Sequence, residues 1–237
     1  MKTCYYCGTK ASNKEHLPPK QFFRGFHVDR LTVYSCEKHN NKKCFDDEVI
    51  VKSMLLALEK YSIVKNEDIK LSLDIVRPHH NQVKNKISEK TLYKQNNIDY
   101  NFIVLNPDVN LNDWIKKLSA GLIWYNTKFF DPDNRFDDSF VFERNSYPSY
   151  ETPKDLTFFE KDYKRKIELI NIIENGNWIN GWNDKKVIYP ETIYAFYYKF
   201  IGKKFIIKHI FYKQFTFYNL IDLSEKTILK IKSNISF

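Results

Sequence analysis

Residues 4–20 read CYYCGTKASNKEHLPPK, and how this stretch is read decides the fold of the N-terminal part of the chain. Cys4 and Cys7 have two residues between them and Gly8 follows, a zinc-knuckle half in which the glycine lets the chain reverse so that both thiolates face one ion. Half a site is a weak signal, and the partner half strengthens it. In SCEKHNN, Cys36 is followed three residues later by His39, so Cys4, Cys7, Cys36 and His39 fit a tetrahedral Cys3His zinc site. Cys44 is the rival for the fourth position; its other reading is a small hydrophobe on a helix. A four-ligand site has no open position, which makes the expected zinc structural.

The 38 Lys+Arg against 29 Asp+Glu give a net charge of +9, which favours polyanionic partners such as nucleic acid; a solvated basic surface explains the same excess. Hydrophobic residues make up 43% of the chain, enough for a packed core, so disorder of the whole is not expected. There is no apolar run of the roughly 18 residues that a membrane span needs, so no membrane partner is expected. MKTCYYCG leads into the cysteines without the apolar region of a secretory signal, and the expected location is cytoplasmic. All four cysteines lie between Cys4 and Cys44, and in that setting their crowding points to metal ligation rather than disulfides.

The coarse pattern predicts an α+β chain. RLTVYSC, Arg30 to Cys36, is a β-branched run that reads as a strand ending at a cysteine. From about Lys38 to Tyr61 the pattern is helical, with Phe45, Val49, Met54, Leu55 and Leu58 at roughly helical spacing. The N-terminal part therefore reads as knuckle, strand, loop, strand, helix, a zinc-stapled unit over 1–61. Residues 62–237 form a larger α+β region. It has a strand at NFIVL and a helix at LNDWIKKLSAGLIWYNTKFF that starts near Asn112 or Asp113. A loop-rich stretch follows at DPDNRFDDSFVFERNSYPSYETPKD. The C-terminal antiparallel strands turn at Gly202 and Lys203.

A knuckle that only holds a fold has no need of Glu15, His16 or Asn40. If zinc fixes both ends of the unit, His16 at the end of the first strand and Asn40 at the start of the helix face each other. An imidazole, a carboxylate and an amide oxygen around one spot suit a divalent cation and a phosphate.

Taken in order, CxxC, EHLPPK, TVYSCxxHNN and DDE resemble the HNH endonucleases, also called ββα-metal or His-Me finger nucleases. The likeness is to the zinc-ribbon subgroup, whose usual form is CxxC, then Asp/Glu-His-x-x-Pro-Lys, then CxxCN and an acidic patch. It covers residues 4–48. The resemblance implies a ββα-metal (HNH) unit in which His16 is the general base. Glu15 takes the place of an aspartate metal ligand, and Asn40 is the asparagine that ligates the catalytic Mg or Mn or holds the site together. Two positions depart from the pattern. His39 stands where a fourth cysteine is usual, and the last histidine of the motif is missing from the helix. Asp46, Asp47 and Glu48 are the acidic candidates for that third ligand, with Asp47 chosen; their other reading is helix charge or a solvated face.

What the resemblance implies is hydrolysis of phosphodiester bonds in nucleic acid, with double-stranded DNA the expected substrate. Residues 1–61 would cut, and 62–237 would recognise the target or dock a partner. Family contexts are compatible with an antiphage-defence effector working with an ATPase or sensor partner. The rival reading is a non-catalytic zinc module that binds nucleic acid or protein. Lys14, Lys20, Lys42 and Lys43 flank the motif as phosphate contacts or as solvated lysines. His27, His79 and His80 read as loop residues, the aromatics from Tyr194 to Tyr218 as sheet, and Trp114 and Trp124 as helix packing.

Overall fold

A computed structural model describes residues 2–26, 28, 31–60, 87–95, 98–105, 110–137, 140–143, 172–181, 190–202, 204–213 and 215–234. The N-terminal knuckle leads into strand β1 (Asn13–Leu17), which pairs antiparallel with β2 (Leu31–Ser35), Glu15 lying opposite Val33 and His16 opposite Thr32. Between them a single 3-10 turn, Lys20–Phe23, buries Phe22 and Phe23. Helix α1 (Glu37–Lys60) follows within two residues of β2. Its Val49, Met54 and Leu55 are buried as the spacing predicts. The order hairpin then helix is therefore present, with β2 and α1 each within a residue of its expected bounds.

A second hairpin is formed by β3 (Ile87–Gln95) and β4 (Ile98–Leu105), antiparallel with a register shift between Thr91 and Tyr93. NFIVL lies in β4 as expected. The mainly polar ISEKTLYKQ becomes a strand only by pairing with it. Helix α2 (Leu111–Thr127) starts earlier than its expected start. The side chain of Asn110 accepts the Asp113 N–H at 2.9 Å, so the cap is Asn110 rather than Asn112 or Asp113. At the far end Lys128 takes a left-handed φ of 64° and returns its N–H to the Trp124 carbonyl at 2.6 Å.

The third sheet runs in the order β5 (Arg135–Phe136), β10 (Phe215–Asp222), β9 (Lys204–Phe211), β8 (Tyr194–Ile201) and β7 (Ile179–Asn180), and β6 (Phe140–Glu143) also pairs with β10. Every described pairing in it is antiparallel, as expected of the C-terminal strands. Gly202, at a φ of 58°, lies between β8 and β9, which pair as neighbours. The stretch read as loop-rich contributes β5 and β6, because four residues or fewer can pair along a strand that is already formed. Helix α3 (Glu225–Asn234) closes the described chain. Among the described residues no helix is long and apolar enough to cross a membrane.

One apolar cluster joins the N-terminal unit to the rest. Leu17, Phe22, Phe23, Val33 and Ile50 share it with Trp114, Leu118, Tyr194, Phe211 and Phe217. Phe22 stacks on Phe211 with ring centroids 4.7 Å apart, and Tyr212 turns a fully buried ring onto it at 5.8 Å. Burying one such ring contributes about 1.5–3 kcal/mol. The expected boundary at 61/62 lies outside the described residues.

Candidate metal centre

Four side chains converge where the knuckle meets the start of α1. The ligand atoms of Cys4, Cys7, Cys36 and His39 all lie within 4.8 Å of one another. Cys7 Sγ is 3.8 Å from Cys36 Sγ, and His39 Nδ1 is 3.2 Å from Cys36 Sγ and 3.6 Å from Cys4 Sγ. A tetrahedron with Zn–S near 2.3 Å and Zn–N near 2.0 Å has edges of about 3.8 Å and about 3.5 Å, so the donor set fits a metal such as zinc. Nδ1 is the imidazole nitrogen turned to the sulfurs.

Local backbone explains the convergence. Gly8, at a φ of 71°, returns its N–H to the Cys4 carbonyl at 3.0 Å, and Cys4 N–H reaches the Thr9 carbonyl at 2.7 Å. A Cβ on Gly8 would meet the Phe130 ring at 2.6 Å, so both conformation and packing require glycine there. On the other side, Cys36 directly follows β2, and the first turn of α1 carries His39 back beside it, its N–H on the Cys36 carbonyl at 3.2 Å. Burial pushes the Cys4 thiol up. Burial acts the same way on Cys36, but the His39 N–H and the Thr9, Cys7 and Cys4 side chains outweigh it and hold that thiol below its ordinary value. Burial and then the Lys117 and Lys38 charges lower His39, which favours the neutral imidazole that ligation needs.

A second layer secures the centre to α2. The Tyr6 ring meets His39 edge-on at 5.0 Å, its hydroxyl donates to Asp113 Oδ1 at 3.2 Å, and Lys117 Nζ holds Asp113 Oδ2 at 2.7 Å. Burial and the Asp113 carboxylate push the Tyr6 phenol up to about 12. Tyr6, Asp113 and Lys117 were not among the expected site residues. The tyrosine sits between the two knuckle cysteines, but its partner is 107 positions away, which spacing does not reveal.

The expected catalytic residues divide between two faces of the hairpin. Strand alternation turns Glu15 inward with Leu17, leaving it 6% exposed, and its Oε1 accepts the Tyr5 hydroxyl at 3.0 Å. His16 is half-buried on the opposite face, with Lys14 on its own strand and Thr32 and Tyr34 across from them. Asp47 is also inward, 6% exposed, and accepts the Trp114 indole N–H at 2.7 Å. Burial pushes the Tyr5 phenol well up, and the charge and hydrogen bond of Glu15, then the charges of Cys4 and Asp47, add to it. Asp47 and Glu48 lie well inside α1 rather than at its N-terminus. Glu48 pairs with Lys52 at 2.6 Å, so neither the helix-charge nor the solvated-face reading describes Asp47.

Asn40 is half-buried in the first turn of α1, its N–H on the Cys36 carbonyl at 3.0 Å. Lys14 and Lys20 are exposed. The side chains of Lys42, Lys43, Cys44 and Asp46, and all of His27, His79 and His80, lie outside the described residues. Among the described residues the Cys3His group is the one set of three or more His, Cys, Asp or Glu side chains whose donor atoms converge. No protein-family model, curated protein or solved structure matches the chain.

Proposed function

We propose that the chain is an HNH-type endonuclease that hydrolyses phosphodiester bonds in nucleic acid, DNA being the expected substrate, with His16 as general base. One observation carries the reading. β1, β2 and α1 follow in ββα order, a Cys3His group joins the knuckle ahead of β1 to the start of α1, and His16 stands near the end of β1. Phosphodiester hydrolysis needs a deprotonated water, stabilised charge on the phosphoryl oxygens and an accommodated leaving oxygen. A neutral imidazole accepts a proton, and under this reading His16 takes the one from the attacking water. Lys14, two residues earlier on the same face, brings positive charge beside the phosphate.

The reading includes a divalent ion, Mg or Mn, which when bound would hold the scissile phosphate and neutralise the leaving 3′ oxygen. Glu15 and Asp47 are turned inward and hydrogen-bonded, so they do not make an open site for it. Magnesium keeps several waters and takes few protein ligands, and half-buried Asn40 is the remaining expected donor. Under this reading residues 62–237 recognise the target or dock an ATPase or sensor partner, as a defence effector would.

Nicking of supercoiled plasmid with Mg²⁺ or Mn²⁺ tests the proposal. The wild type should nick, and His16→Ala should slow nicking by roughly 10²–10⁴ while zinc content and melting stay unchanged. Equal rates for the two proteins, or no nicking by the wild type with either ion, reject it. A second reading, a non-catalytic zinc-stapled binding module, is favoured by one observation: the core hydrogen bonds of Glu15 and Asp47 already give both carboxylates a structural role.

A further inference from the structure

The outer face of the hairpin carries more than His16. Lys14 and Tyr34 are directly opposite each other across β1 and β2, as are His16 and Thr32, and two residues along a strand span about 7 Å. The Tyr34 ring is half-exposed and gathers two exposed ammonium groups, Lys2 Nζ at 4.6 Å and Lys14 Nζ at 5.8 Å from its centroid. Trp124 of α2 meets the same ring edge-to-face, centroids 5.9 Å apart at 83°, and the next residue, Tyr125, has Lys128 Nζ 3.7 Å from its own centroid. Lysine and aromatic rings therefore alternate from β1 to the C-terminal end of α2, beginning one strand step from His16.

We infer that this ledge, centred on Tyr34 with Lys2 and Lys14, binds a single-stranded segment of nucleic acid beside the phosphate that His16 attacks. Half-exposed rings offer a stacking surface to bases whose faces are open, and the faces of bases in a duplex are occupied by their neighbours. The lysines are on long exposed side chains and can exchange the ring for a phosphate, releasing counterions as they do so. A duplex would use the lysines and leave the rings idle, so a single strand uses everything this surface presents. The inference rests on the nuclease reading for where the cut falls, and its test reads binding instead of cleavage.

The test is fluorescence anisotropy of the full chain, without added divalent ion, using a labelled mixed-sequence oligodeoxynucleotide alone and annealed to its complement. The wild type should prefer the single strand. Tyr34→Ala should weaken single-strand binding about tenfold, the size of one lost stacking contact, and change duplex binding little. Tyr34→Phe keeps the ring and should bind as the wild type does, which separates stacking from a loss of fold. Replacing Lys2 and Lys14 by Gln should flatten the salt dependence of log K by roughly 0.7 per lysine. Three outcomes overturn the inference: no single-strand preference in the wild type, unchanged affinity in Tyr34→Ala, or equal losses for single strand and duplex. Tyr34-dependent binding with no nicking by the wild type would reject the nuclease reading and leave this surface standing. Nicking that depends on His16 with Tyr34→Ala unaltered in binding would do the reverse.

Discussion

Cys36 is the residue on which the N-terminal unit turns, because it stands between the end of β2 and the start of α1 and offers a sulfur 3.2 Å from His39 Nδ1 and 3.8 Å from Cys7 Sγ. Structural zinc contributes its binding energy to folding, on the order of 10 kcal/mol or more in small zinc modules. Cys36→Ser should therefore abolish tight zinc and lower the melting temperature steeply, as measured by metal analysis of the purified protein and by circular dichroism. Full zinc content at unchanged melting would mean that the four side chains do not share an ion. These ligands were legible in the sequence because each pair is separated by two residues and local geometry does the rest. The inward turn of Glu15 and Asp47 was not legible. Their hydrogen-bond partners, Tyr5 and Trp114, are 10 and 67 positions away, and a dipeptide such as Glu15-His16 does not reveal which of its side chains faces the core.

Among the elements, α2 decides how the hairpin is seated. Gly121 faces Leu17 of β1 so closely that a Cβ would come within 2.2 Å of Leu17 Cδ1, and Leu17 is fully buried. Gly121→Ala would gain about 1 kcal/mol in helix propensity but force a methyl into a filled space, at a cost of about 1–3 kcal/mol. Leu17→Ala alone should cost about 2–5 kcal/mol. The double variant should be more stable than the sum of the two, since each change makes room for the other, with a coupling within roughly 0.5–3 kcal/mol. Urea denaturation of the four proteins measures it, and strictly additive losses would show that α2 and β1 do not meet here. The helix itself was readable from the stretch LNDWIKKLSAGLIWYNTKFF. Its start was not, because Asn110, Asn112 and Asp113 all suit a cap and only the observed bond from Asp113 N–H selects Asn110. β5 and β6 were missed for a related reason, since their strand character comes from β10 and not from their own residues.

At the scale of the whole molecule, one buried imidazole contributes a distinct part of the response to acid. His209 of β9 is fully buried between the Ser119 hydroxyl on Nε2 and the Tyr194 hydroxyl on Nδ1, each at 2.9 Å, and burial lowers its pKa from 6.5 to about 3. Above 6.5 both folded and unfolded chains hold it neutral, so it contributes no pH dependence there. As pH falls below 6.5 the unfolded chain takes up a proton that the folded chain refuses until about 3, and stability drops across that window. The loss attributable to His209 approaches about 1.4 kcal/mol per pH unit. His209→Gln should flatten this part of the profile, measured as the difference in urea midpoint between pH 7 and pH 5; parallel profiles would remove the imidazole as the cause. The stacking of Phe22 on Phe211 has a different kind of consequence. A hairpin and helix joined by a Cys3His group has the look of a cassette to be spliced onto another chain. Here its aromatic plug is seated in the C-terminal sheet and its Asp47 in the indole of α2, so a graft of the first sixty residues would carry an apolar surface with no counterpart. Any useful chimera would have to exchange the outer ledge and leave the scaffold beneath it whole.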